Sequence, residues 1–193
     1  MAYNPKKHNR RSTRLKGYDY SSPGLYFVTI CTYSRVCLFG EIADRKMILN
    51  RWGWIARDQW QKTETIRDNV TLDAFVIMPN HMHGIVQIVG PNNDVGAYRD
   101  TPLQNDTRQR NNDPEQQSEF RSPSQTLGAI IRGYKSAVTT KINKKRDATG
   151  RKVWQRNYHD HIIRDEPSLK RIRYYIVNNP NQWYENRHNP RNF

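Results

Sequence analysis

The most constraining feature of this sequence is the stretch Ala74-Phe75-Val76-Ile77-Met78-Pro79-Asn80-His81-Met82-His83-Gly84-Ile85-Val86-Gln87-Ile88. An apolar run meets Pro79-Asn80, and a second apolar run leaves it. Apolar runs of this length on either side of a turn pair read as the two largely buried strands of a hairpin. His81 and His83 open the second strand. Side chains two apart on a strand share a face, so the two imidazoles are able to grip one metal ion.

The rest of the chain is read around that pair. Its 193 residues suffice for one domain with a hydrophobic core. Lys plus Arg is 32 against 18 Asp plus Glu, a formal charge of +14. Such a balance points to a polyanionic partner, most often nucleic acid. The 11 Tyr and 5 Trp supply rings on which unpaired bases stack. Cys31 and Cys37 make neither a CxxC pattern nor a disulfide framework, so buried thiols in a reducing cytoplasm are expected. No apolar run reaches transmembrane length, so no membrane partner is expected. The basic start is not followed by an apolar segment, which argues against a secretory signal.

Residues 1–22 read as a flexible basic arm suited to phosphates, with Lys6, Lys7, Arg10, Arg11, Arg14 and Lys16 ahead of Gly17 and no acid among them. Residues 23–193 read as the folded domain. Leu25 to Tyr33, β-branched and aromatic, predicts a strand, and Cys37 to Ile42 a short second one. From Asp44 to about Thr65 the pattern is helical, with Met47, Trp54, Ile55, Asp58 and Trp60 on an imperfect face and Asp44 as N-cap. Asn69–Met78 and Met82–Val89 are the strands of the central hairpin.

Residues 90–124 are too polar to pack and read as an exposed insertion. Gln125 to about Arg146 is a helix by the spacing of Leu127, Ile130, Ile131, Tyr134, Val138 and Ile142. Eight cations face one acid between Arg132 and Lys152, so Arg132, Lys135 and Lys141 join Arg10, Arg11, Arg14 and Lys16 as expected DNA contacts. Val153–Arg156 and His159–Arg164 suggest a last strand with a break. Asp165 then caps a final helix that tolerates Pro167 in its first turn and stops before Pro180. Helices on one face of a mainly antiparallel sheet make an α+β domain of ferredoxin-like (RRM-like) type.

In projection, Leu169, Ile172 and Ile176 form the apolar stripe of the last helix, with Asn179 inside its edge. Tyr175 sits at the flank and Tyr174 points away. Tyr175 and Asn179 are four apart and lie one turn from each other on one side. If this helix packs near His81 and His83, the site holds two imidazoles, an amide oxygen and a phenol. Two imidazoles and a carbonyl oxygen suit a divalent ion with open positions. Such an ion polarises a phosphodiester, and a phenolate attacks phosphorus. Tyrosine titrates near 10 in the free state, so its attack needs help, and the metal would chiefly relieve transition-state charge on the phosphate. On spacing alone, His159, His161, Tyr158 and Tyr134 remain rivals for these roles.

Three segments together resemble a known family. Val76 to Val86 looks like the metal-binding motif of the HUH-superfamily single-tyrosine transposases. Trp154 to Arg164 looks like the strand that precedes their tyrosine helix. Tyr174-Tyr175-Ile176-Val177-Asn178-Asn179-Pro180 is similar to that helix, above all in the branch associated with repetitive extragenic palindromes (REP). The match runs in order along most of the chain, omitting the arm and residues 90–124. It implies that His81, His83 and Asn179 bind Mg²⁺ or Mn²⁺. It implies that Tyr175 attacks single-stranded DNA bearing hairpins, leaving a 5′-phosphotyrosyl link and a free 3′-OH, and that rejoining reverses the step. Asn179 stands where the insertion-sequence branch often carries Gln. A monomer or homodimer is expected. The alternative is a non-catalytic ferredoxin-like nucleic-acid binder that stacks bases on its sheet. A replication initiator with the same nicking chemistry would normally be joined to a helicase, for which this chain has no room.

Overall fold

The computed structural model describes residue 15 and residues 17–90, 125–186 and 188–192. The elements in chain order are β1 (Gly24–Cys31), β2 (Gly40–Ala43), β3 (Lys46–Leu49), α1 (Arg51–Ile66), β4 (Val70–Ile77), β5 (His81–Ile88), α2 (Leu127–Lys145), β6 (His159–Ile163) and α3 (Glu166–Asn178). One four-stranded sheet runs β4-β5-β1-β6. Each neighbouring pair in it is antiparallel. Without the β2–β3 hairpin and α3, the order is β-α-β-β-α-β with the third strand beside the first, the ferredoxin-like arrangement.

The β5 alternation decides where everything else lies. Met82, Val86 and Ile88 join Tyr26, Val28 and Ile30 of β1 in the main core, against Trp60 of α1 and Leu127, Ile130, Tyr134 and Val138 of α2. The opposite face of the same strands carries Ile85, Leu25 and Phe27, and there Leu169, Ile172 and Ile176 of α3 pack. The α+β class and the antiparallel sheet agree with the sequence reading. The helices, however, divide between faces: α1 and α2 share one, and α3 covers part of the other. Single-sequence periodicity gives a helix its apolar stripe but not the face of the sheet that receives it.

The N-terminal end of α1 also differs from expectation. Asp44 and Arg45 have φ of 48° and 59°, the left-handed pair of a tight two-residue hairpin turn. That turn joins β2 to β3. Met47 is therefore a strand residue. Asn50 is the N-cap, its side-chain oxygen accepting from the N–H groups of Trp52 at 2.8 Å and Gly53 at 3.1 Å. Residues 18–22, assigned above to a flexible arm, are tied to the core. The Tyr18 and Tyr26 hydroxyls are 3.2 Å apart, and Tyr26 donates to the Ser22 carbonyl at 2.7 Å. Residues 1–14, Lys16 and the insertion from 91 to 124 lie outside the described residues.

Gly84 is the position in the four-stranded sheet where the packing of α1 leaves no room for a side chain. A Cβ there would stand 2.6 Å from Cζ2 of Trp60, a fully buried side chain. The close approach seats α1 on the sheet directly behind the histidine face. Gly84→Ala is expected to cost about 1–3 kcal/mol by overpacking, read as a lower thermal midpoint. The cost should shrink in a Trp60→Phe background, where the clashing ring is absent.

Candidate functional site

His81 and His83 lie on the β5 face opposite the main core, their ring centroids 4.7 Å apart. They are 0 % and 2 % exposed. His83 pairs in register with Thr29 of β1, and the Thr29 hydroxyl is 2.8 Å from His83 Nδ1. Phe27 stacks on the His83 ring at 5.3 Å and 22°. On the other side, Tyr175 of α3 brings its hydroxyl to 3.2 Å from His83 Nε2. The ring of Tyr175 meets Phe27 edge-on at 6.2 Å. Tyr175 is 36 % exposed while Tyr174 is 68 % exposed, so the first borders both the site and solvent and the second faces away. The helical projection is matched in each particular.

Two devices place the phenol. The apolar stripe of α3 seats the helix on Ile85, Phe27 and Val76. A register shift in β4 between Leu72 and Phe75 accompanies a forked ion pair from Asp73 to α3. Arg173 donates from Nε to Oδ1 at 3.0 Å and from Nη2 to Oδ2 at 2.6 Å. Burial pushes the Asp73 carboxyl up, but the Arg173 donors and the Ala74 N–H outweigh it and leave the group below its usual value.

Asn179 is the C-cap of α3 and fully buried. Its oxygen accepts from Asn186 Nδ2 at 3.3 Å. It also stands near enough to His81 to favour the protonated ring, though not in hydrogen-bond geometry with Nε2. Burial, and then the neighbouring His83 and His188, drive His81 well below its ordinary titration range. A neutral imidazole is the form that ligates metals. Among the described residues no group of three or more His, Cys, Asp or Glu is arranged to hold a metal, so a cation here would depend on the Asn179 amide. The residues present fit that role. His81 Nε2 and Asn179 Nδ2 are buried polar atoms with no hydrogen-bond partner, and a cation at Nε2 would satisfy the first.

No family model matches the chain. An uncharacterised protein of Haemophilus influenzae is 42 % identical over 181 residues, covering 94 % of this chain and 93 % of the relative. The two proteins belong to one family. Among solved structures, a REP-associated tyrosine transposase bound to a REP hairpin superposes with a TM-score of 0.53 at 17 % identity, over 88 % of this chain and 73 % of that one. The chain has the fold of that transposase, as the resemblance of the three motifs implied.

Of the rival residues, Tyr134 is excluded from this site. It is buried between Trp60 and Trp154 on the α1–α2 side of the sheet. Tyr158 packs at the margin of that same core. His159 and His161 are exposed on β6. Their pairing with Thr29 and Phe27 puts them on the site's face, but one strand beyond β1. Among the expected DNA contacts, Arg132 is exposed on α2. Lys135 donates to the carbonyls of Gln155 at 2.6 Å and Arg156 at 3.0 Å, and Lys141 lies 3.7 Å from Asp58. Four further cations, Lys144, Arg151, Lys152 and Arg156, line an open cleft of about 790 Å³ together with Asp147. Arg10, Arg11, Arg14 and Lys16 lie outside the described residues.

Sequence reasoning missed Phe27, Thr29, Asn80, Trp183 and His188. The His188 ring is 4.6 Å from that of His81, and Trp183 stacks on His81 at 6.1 Å and 26°. The β1–β5 register would have exposed Thr29. Nothing local marks His188, since its contacts arise only when the chain after α3 folds back.

The Asp73–Arg173 pair generates a pH-dependent prediction. Arg173→Ala and Asp73→Asn are each expected to cost about 1 kcal/mol at neutral pH, the pair being partly exposed. Because the folded-state carboxyl lies below its unfolded value, its stabilisation is complete above that unfolded value near 3.9. It is lost as pH falls through the folded one. Urea denaturation from pH 7 to pH 2.5 should show the Asp73→Asn deficit constant down to about pH 5 and vanishing in acid.

Proposed function

We propose that this protein is a metal-dependent single-stranded DNA endonuclease and strand transferase, a single-tyrosine transposase of the REP-associated kind acting on hairpin-bearing DNA. The observation that carries the reading is the Tyr175 hydroxyl 3.2 Å from Nε2 of His83, with His81 alongside. It is supported by the fold shared with a transposase bound to a REP hairpin and by the charge of +14.

In this reading His81, His83 and Asn179 hold Mg²⁺ or Mn²⁺, and the cation supplies charge relief to the phosphate oxygens. The chain's own residues do the rest. Phe27 and the α3 packing fix the tyrosine ring at the rim of the site, where a strand reaches it from solvent. The Tyr175 oxygen forms a bond to phosphorus, and the bond from phosphorus to the 3′ oxygen breaks. The phenolic proton passes to water, and the departing oxygen takes up a proton to become a 3′-OH. Attack by another 3′-OH on the phosphotyrosine forms a new phosphodiester and releases the phenol. Exposed cations of the α2 cleft and Arg132 supply salt-dependent contacts to the backbone.

A non-catalytic binder that stacks bases across the open sheet fits less well, because α3 occupies that face over Ile85 and Val76.

The test is incubation with hairpin-bearing single-stranded DNA and Mn²⁺, followed by a denaturing gel. Wild type should give a covalent protein–DNA band, lost in Tyr175→Phe and on chelation, and reduced at least about 100-fold in His81→Ala. No band from wild type across varied hairpins, or a band from Tyr175→Phe, overturns the assignment. Tyr174→Phe should leave the band intact.

A further inference from the structure

Three separate segments converge on one buried amide. Asn80, 1 % exposed, donates from Nδ2 to the carbonyl of Arg35 at 3.0 Å and to that of His188 at 2.7 Å. Its Oδ1 lies 2.8 Å from Nδ1 of His81. The two ends of an asparagine amide are alike in shape, and only their hydrogen bonds tell them apart. Turning this amide over would set its oxygen against two carbonyl oxygens and lose both hydrogen bonds. The network therefore holds Oδ1 towards His81.

An amide oxygen only accepts. The hydrogen of the neutral His81 ring must then sit on Nδ1, and Nε2 carries the bare lone pair. Nε2 is buried and has no hydrogen-bond partner, with Asn179 close by. A lone pair left in that position lacks a positive partner, and a buried polar atom without one is costly. A free histidine side chain prefers the opposite arrangement, with its hydrogen on Nε2, which would present an N–H where a ligand is needed. The Thr29 hydroxyl on His83 can donate or accept, so it does not fix the second ring in the same way.

We infer that Asn80 is a positioning residue: its amide, held by the carbonyls of Arg35 and His188, sets the tautomer of His81 so that Nε2 is presented to a divalent cation. This rests on the metal-dependent reading proposed above. It gives the segment after α3 a part in the site as well, since the His188 carbonyl is one of the two acceptors that orient the amide.

The test has two arms. Long-range ¹H–¹⁵N NMR of the metal-free wild-type protein should show His81 as the Nδ1–H tautomer, and Asn80→Ala should move it towards Nε2–H. Wild-type His81 found as Nε2–H overturns the inference, and that wild-type measurement needs neither metal nor a variant that folds. Calorimetric titration with Mn²⁺ alone should show affinity about 10–100-fold weaker in Asn80→Ala than in wild type. Equal affinities in the two proteins overturn it. If wild type binds no Mn²⁺, the metal-dependent function falls, and the tautomer measurement still decides the role of Asn80.

Discussion

The docking of α3 on the sheet is the interaction on which the site depends. Leu169, Ile172 and Ile176 bury against Ile85 and its neighbours, and that contact brings α3 onto the face where Tyr175 meets His83. Apolar burial is strong but not directional. Direction comes from the Asp73–Arg173 fork at one edge of the helix and the Asn179 cap at its end. A helix held only by its stripe could slide by a fraction of a turn, and the phenol would leave the imidazole. The fork and the cap oppose that motion.

The two faces of the sheet divide the labour. Behind the histidines, Trp60 lies so close to β5 that Gly84 cannot bear a Cβ, and the strand is backed by a close-packed core. In front, the same strand presents two imidazoles that are nearly solvent-free. Rigid backing on one side and a polar, desolvated face on the other suit the function proposed above, in which the side chains would stay in place while a flexible nucleic-acid strand enters and leaves.

Much of this was legible in the sequence, for identifiable reasons. The histidine pair and its common face follow from strand periodicity. Tyr175 at the rim and Asn179 within follow from helix periodicity, and the cap at Asp165 accepts from the Ser168 N–H at 2.6 Å as its sequence suggests. The β2–β3 hairpin was not legible, because Asp44 is a good cap residue and Asp44-Arg45 is not a typical left-handed turn pair. The side of the sheet taken by α3 is a tertiary choice that a single helix does not encode. The approach of His188 to His81 has the same character, since it is set by the fold of a polar tail whose residues show no period.

The proposed function requires that one cation be shared by a histidine pair within reach of the Tyr175 oxygen. X-ray anomalous scattering from crystals of the protein grown with Mn²⁺ tests this directly. A shared cation predicts a single strong peak in bonding contact with Nε2 of both His81 and His83 and with the Asn179 side chain. A peak elsewhere, or one bound through the Nδ1 atoms that now face Asn80 and Thr29, would contradict it.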